Sequence, residues 1–199
     1  MSPRSAPAHE WTARALSEKT WKDFEGLFAR YNGVQAGCWC MFYHREGPIH
    51  APSEEERTER NRQDHRAWVG EGRAHGVLVY EGGEAIGWCQ FGPRKELPRL
   101  ERGRTYRALD LPPSRGALWR ITCFFVDRPH RRQGVAEFAL GEALREIRRM
   151  GGGTVEAFPA THGRAVAIWF GTVGMFEAQG FRDVGPFGKS HRLMRRTLR

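Results

Sequence analysis

The chain has 199 residues, with 32 Lys+Arg against 23 Asp+Glu for a formal net charge of +9. At roughly 150 residues per domain this length predicts one domain with insertions, and 40% hydrophobic residues, with 12% aromatics, exclude disorder of the whole chain. No apolar run approaches the ~20 residues of a bilayer span, the opening MSPRSAPAHEWTAR lacks the apolar segment of a secretory signal, and a cytoplasmic location is expected.

Residues 1–15 read as a polar N-terminal arm and 16–199 as a single domain. Trp21, Phe24, Leu27, Phe28 and Tyr31 recur at helical spacing from Thr20, with Asn32-Gly33 as a stop. Gly37–Tyr43 (GCWCMFY) is aromatic-rich and short, and predicts a strand. Ser53 and Glu56 have capping-box spacing and open a charged helix to about Val69. Two extended runs, Gly76–Tyr80 and Ala85–Phe91, flank Gly82-Gly83 as a hairpin.

Residues 92–116 are rich in proline and charge and predict a long surface loop. Leu118–Val126 (LWRITCFFV) is the strongest strand, and Pro129 makes the following segment a turn. Ala136, Ala139, Leu140, Ala143, Leu144 and Ile147 predict a helix over 133–150, closed by Gly151-Gly152-Gly153. A strand at Thr154–Phe158, a helix at Ile168–Gln179 and strands at Phe181–Gly185 and Ser190–Leu198 complete a mixed α/β order. The strand, helix, strand unit at 118–158 demands a parallel pair with a crossover.

The segment from Phe124 to Ala136 carries the most chemistry. A buried strand feeds a short turn, and the turn feeds a helix N-terminus, where unpaired backbone N–H groups and the helix dipole favour an anion. Small residues at Gly134 and Ala136 admit a pyrophosphate to those amides, and Arg131 and Arg132 add charge. The GxxxxGK[ST] and GxGxxG fingerprints are absent, which argues against nucleotide triphosphate and dinucleotide sites. What remains is RxxGxA from Arg131 to Ala136. Cys38-Trp39-Cys40 has no second paired motif, so Cys38, Cys40, Cys89 and Cys123 are expected as free thiols and no metal is expected. Trp39, Trp68 and Trp88 fit core packing better than a pocket lining.

From the hairpin with Gly87, through the strand ending CFFV and the RxxGxA turn, to Met175-Phe176-Glu177-Ala178-Gln179-Gly180-Phe181, the chain resembles the GNAT superfamily of acyl-CoA N-acyltransferases over about 76–198. The resemblance implies an α+β fold: a mixed, mostly antiparallel central sheet, splayed at a parallel pair and flanked by helices. It implies acetyl-CoA as cosubstrate, with pantetheine on the backbone of Phe125 and Val126 and pyrophosphate on Arg131, Arg132, Gln133, Gly134, Val135 and Ala136. Direct attack of an amine on the thioester follows, with a backbone N–H near Phe125 at the oxyanion.

Phe176 stands where the family often has a tyrosine that protonates the departing thiolate, and Trp169 where it often has an asparagine. Glu156 is the first candidate for a base, its alternative being an acid paired with an arginine. Ser190, beside His191 at the last strand, is the second catalytic candidate. Asp127 and His130 are expected to shape the phosphate turn. The expected partner is an amine acceptor of unknown size, without a membrane; a homodimer is compatible. The alternative class is a basic nucleic-acid or ribosome-associated module with this fold and little catalysis, suggested by Arg-rich stretches at 57–66 and 189–199.

Overall fold

The computed structural model describes residues 10–161 and 169–199. Among these, one sheet of seven strands runs in the order β1-β2-β3-β4-β5-β7-β6. The strands are Thr12–Ala15 (β1), His75–Glu81 (β2), Glu84–Pro93 (β3), Leu118–Val126 (β4), Gly153–Ala157 (β5), Arg182–Phe187 (β6) and His191–Leu198 (β7). Only β4 and β5 pair in parallel; every other neighbouring pair is antiparallel. The mixed sheet and its parallel pair are as expected.

Helices cover both faces. Between the parallel strands runs α5 (Val135–Arg149), whose buried Val135, Ala139, Leu140, Ala143, Leu144 and Ile147 are the apolar stripe read from spacing. They pack on Val77, Val79, Cys89 and Phe91 of the sheet. On the opposite face, α1 (Trp21–Ala29) and α2 (Glu54–Gly70) cover Leu78, Trp88 and Phe125. Phe24 stacks on Phe28 at 4.2 Å and meets Trp88 edge-on at 4.8 Å. Complete burial of such a ring contributes about 1.5–3 kcal/mol. The Ser53 cap is present, its side chain accepting from the Glu56 amide at 3.1 Å.

Four expectations are corrected. Thr12–Ala15, placed by composition in a polar arm, forms β1 against β2, and Trp11 donates to Glu81 at 2.9 Å. Gly37–Tyr43 is not a strand: Gly37, Trp39 and Cys40 have φ of 62°, 46° and 56°, in the left-handed region. Buried side chains take the carbonyls a ladder would need. Asn61 donates to Gly37 at 2.9 Å, His65 to Trp39 at 2.7 Å and Gln90 to Cys40 at 2.7 Å. The loop 92–116 contains a 3-10 turn, Arg94–Glu96, and the short helices α3 (Arg99–Arg102) and α4 (Arg104–Arg107). The helix expected from Ile168 starts outside the described residues. It is interrupted at Gly171, with φ 71°, and resumes as α6 (Val173–Ala178) behind a Thr172 cap.

Candidate active site

Pairing between β4 and β5 runs from Leu118–Thr154 to Ile121–Ala157 and stops, while β4 stays paired to β3 as far as Val126. The two parallel strands therefore part beyond Ile121, and the gap is lined by the open edge of β4. Asp127 donates its amide to Ile86 at 2.9 Å. By antiparallel alternation the amide and carbonyl of Phe125 also face β3, and those of Val126 face the gap. Of the two residues expected to offer backbone there, Val126 is the one with free orientation. Arg131 Nε donates to the Val126 carbonyl at 3.0 Å and ties the turn to the strand end.

The start of α5 lies on the same side. Arg132 and Gly134 have φ of 61° and 96°, so the chain curls before the helix and Gly134 caps it without a side chain. The amides of Val135, Ala136 and Glu137 open the helix without intrahelical acceptors. A Cβ built on Gly134 would meet only the Trp11 ring, at 3.7 Å, so the approach to these amides is open. The Gln133 side chain folds back, its Nε2 donating to the Pro129 carbonyl at 2.8 Å. At Gly87 a Cβ would come within 2.6 Å of Val135, so this glycine lets the helix start sit against β3. Asp127 shapes the turn as expected, accepting from Arg30 at 3.0 Å and from Tyr31. His130 lies 3.4 Å from Glu81.

On the α1 and α2 face, a cavity of about 580 Å³ opens beside β4 at Thr122 and Cys123. Its walls come from the α1–α2 loop, α2, Arg99 of α3, and Trp169 and Phe170. Thr122 donates to Gln90 at 2.9 Å, and Gln90 holds the loop at Cys40, so sheet and loop are one hydrogen-bonded wall. Cys38, Cys40 and Cys123 line this cavity as free thiols. Burial pushes the Cys38 thiol up to about 12, and the neighbouring Cys123 adds to it. Cys38, and Cys40 which burial also raises, are protonated, unreactive thiols near neutrality. Trp39 and Trp88 are buried in the core, and Trp169 supplies the indole of the cavity, stacked on Phe125 at 6.1 Å.

Glu156 is fully buried and lies at the centre of an ion cluster. It accepts from Tyr106 at 2.9 Å, from Arg195 at 2.6 Å and from Arg120, itself fully buried, at 3.3 Å. The paired-acid alternative describes this geometry, except that the acid points inward. Tyr106 and Arg120 were missed by sequence reading: Tyr106 lies in the stretch expected as a surface loop, and Arg120 in a strand recognised by its apolar residues. Ser190 Oγ lies 3.1 Å from His191 Nδ1, and neither lines the cavity. Phe176 is buried edge-on to Phe124 at 6.0 Å and Phe181 at 5.1 Å, in the α5-side core. Among the described residues no cluster of three His, Cys, Asp or Glu is arranged to hold a metal, and no helix is long and apolar enough to cross a membrane.

No curated protein sequence matches the chain significantly. Solved structures do match its fold. The acetyltransferase yncA of Salmonella typhimurium, solved with its cofactor acetyl-CoA, is 14% identical with a TM-score of 0.54, covering 95% of this chain and 94% of that one. A ribosomal-protein-S5-alanine acetyltransferase from Vibrio fischeri is 11% identical with a TM-score of 0.54, covering 97% and 95%. An N-acetyltransferase from Staphylococcus aureus Mu50 is 14% identical with a TM-score of 0.50, covering 95% and 98%. The sequence model of the acetyltransferase (GNAT) family matches residues 39–181, a span holding the splayed strands and the RxxGxA turn. By that match and this fold the chain belongs to the acetyltransferase (GNAT) family of acyltransferases.

Proposed function

We propose that the chain transfers an acetyl group from acetyl-CoA to a primary amine by direct attack. The observation that carries this reading is the juxtaposition of three features. The gap between β4 and β5 has the start of α5 on its near side and an open cavity on its far side. Pyrophosphate fits the amides of Val135 and Ala136, with Arg131 and Arg132 adding charge. The thioester then reaches through the gap toward the cavity, and the Val126 amide is the donor best turned to the developing oxyanion.

In the reaction the amine lone pair forms a C–N bond to the thioester carbon. The C–S bond breaks with its electron pair on sulfur, and the proton lost by nitrogen balances the released thiol. Phe176 offers no proton. A thiol of pKa near ~8.5 leaves without one. Glu156 is assigned to holding Tyr106, Arg120 and Arg195 rather than to taking the amine proton, because its oxygens are already occupied by these donors. Water in the cavity carries the proton instead. Residues 16–199 together with β1 act as one catalytic domain in this reading, and the four free cysteines fit a reducing cytoplasm.

Acetyl-CoA binding measured by calorimetry, followed by thiol release across an amine panel, tests the proposal. Binding together with amine-dependent release of CoA is expected. Absence of acetyl-CoA binding by the folded protein would remove it.

A further inference from the structure

The cavity beside β4 is lined by Arg45, Arg57 and Arg99 and by no Asp or Glu. Two of these guanidiniums are spoken for. Arg45 pairs with Asp64 and donates to Asn61 at 3.1 Å, and Arg57 meets Glu54 at 3.4 Å. Arg99 has no carboxylate partner among the described residues; it lies over the Phe42 ring, 4.0 Å from its centre. An arginine fixed by an aromatic face at a cavity wall, with its charge uncompensated, is a binding group for a planar oxyanion.

Beside the uncharged polar Gln35, Asn61, Gln90 and Thr122, the wall carries an apolar and aromatic surface that includes Phe42, Tyr43 and Trp169. Phe42 is 51% exposed, an aromatic ring left at the surface beside Arg99. A volume of about 580 Å³ accommodates a small molecule rather than a protein segment. A polyamine or a basic peptide terminus would bring further cations among three guanidiniums, with no acid to receive them.

Resting on the transferase reading above, we propose that the acceptor is a small apolar amine bearing a carboxylate, of amino-acid type. Its carboxylate pairs with Arg99, its side chain packs on Phe42, Tyr43 and Trp169, and its amine points past Cys123 to the gap between β4 and β5. The acetyl carbon moves from sulfur to that nitrogen, as balanced above, and the product is an N-acetylamino acid with CoA thiol.

The test uses the full chain and acetyl-CoA. Phenylalanine, tyrosine, leucine and methionine are each compared with their carboxamide and decarboxylated amine, and all with spermidine. The best amino acid is expected to exceed its own carboxamide in kcat/KM by ~10–100-fold, the worth of a charge-assisted pair. Arg99→Gln should collapse that ratio toward unity, and Arg99→Lys should restore part of it. In parallel, 3-phenylpropanoate, which has the carboxylate but no amine, should bind the CoA complex by calorimetry and lose ~10-fold or more in Arg99→Gln. An amide, decarboxylated amine or spermidine that outruns every amino acid overturns the proposal, as does a ratio unchanged by Arg99→Gln. Without turnover of any amine, an Arg99-dependent 3-phenylpropanoate affinity upholds it and absence of binding overturns it. Failure to bind acetyl-CoA removes the transferase reading itself, and the proposal with it.

Discussion

Gly134 does two things that no other residue does as cheaply: it accepts φ 96° at the mouth of α5, and it leaves the helix amides uncovered. Acetyl-CoA at a hundred times its Kd should add about 2.7 kcal/mol of stability and raise Tm accordingly. In Gly134→Glu the side chain would put a like charge where the proposed pyrophosphate would lie and would be strained at φ 96°, so thermal scans should show a lowered Tm that no longer responds to acetyl-CoA. Retention of the full shift would mean that the pyrophosphate lies elsewhere. Glu156 behaves differently because it is enclosed. In Glu156→Gln the fully buried Arg120 loses one of two counter-charges, keeping Glu101 at 3.0 Å, so the cost is expected at or below the ~3–5 kcal/mol of a fully broken buried pair. Denaturant titration should therefore show a loss of stability. A general base would show the opposite pattern, with stability kept and turnover lost. Phe176→Tyr adds a hydroxyl to a ring 1% exposed and packed edge-on against Phe124 and Phe181, so a loss of about 1–3 kcal/mol without gain in turnover is expected if it finds no partner.

The α1–α2 loop is the element that makes the cavity, and two buried histidines hold it. His65 Nδ1 lies 2.7 Å from the Trp39 carbonyl and His44 Nδ1 2.8 Å from the Glu96 carbonyl, so each Nδ1 donates and each Nε2 is left bare and buried. Burial pushes His65 down to about 3 and His44 to about 4, with mutual repulsion adding for His65. Both are neutral in the fold and protonate near ~6.5 when unfolded. The stability they allow is therefore whole above pH 6.5. It falls as the pH drops toward their folded values, by about 1.4 kcal/mol per pH unit for each. Urea midpoints at pH 7, 6 and 5 should show this slope, and His65→Gln should remove about half of it; a flat profile would mean the imidazoles reach solvent. This element is also the part of the site that sequence reading got wrong. Aromatic and sulfur-bearing content in GCWCMFY signals burial, and burial in a strand and in a pinned loop look alike in one dimension. What decides between them is Asn61, His65 and Gln90, residues distant in sequence whose donors take the loop carbonyls. The β4–turn–α5 unit was legible because strand, turn, glycine and helix are contiguous, and every signal there is local.

At the scale of the whole molecule, many of the 32 Lys+Arg are already paired with acids, and the net +9 is what the others leave. On α2, Arg62 pairs with Glu25 and Glu59 and Arg57 with Glu54; on α5, Arg145 and Arg149 pair with Glu142 and Glu146. The basic C-terminal stretch is absorbed by the sheet: Arg192 binds Asp183 at 2.6 Å, Arg195 binds Glu156, and Arg196 donates to the Gln179 carbonyl. Such cations are poor phosphate-backbone ligands, since each contact would first break an existing one. In the proposed function the start of α5 would hold its anion mainly through backbone amides, whose attraction does not depend on releasing a counterion atmosphere. Salt therefore separates the two functional classes. A protein built on six to ten phosphate contacts loses about 10³–10⁵ in RNA affinity between 50 and 200 mM salt. Acetyl-CoA binding here should lose less than ~10-fold over the same range, because few mobile cations contribute. RNA binding should stay at the non-specific level of roughly 10⁻⁴–10⁻⁶ M at physiological salt. Acetyl-CoA and a structured RNA titrated by calorimetry and filter binding at both salt concentrations would check this. Nanomolar RNA binding that persists at 200 mM, with acetyl-CoA displaced by the RNA, would place the polyanion rather than the cosubstrate at the start of α5.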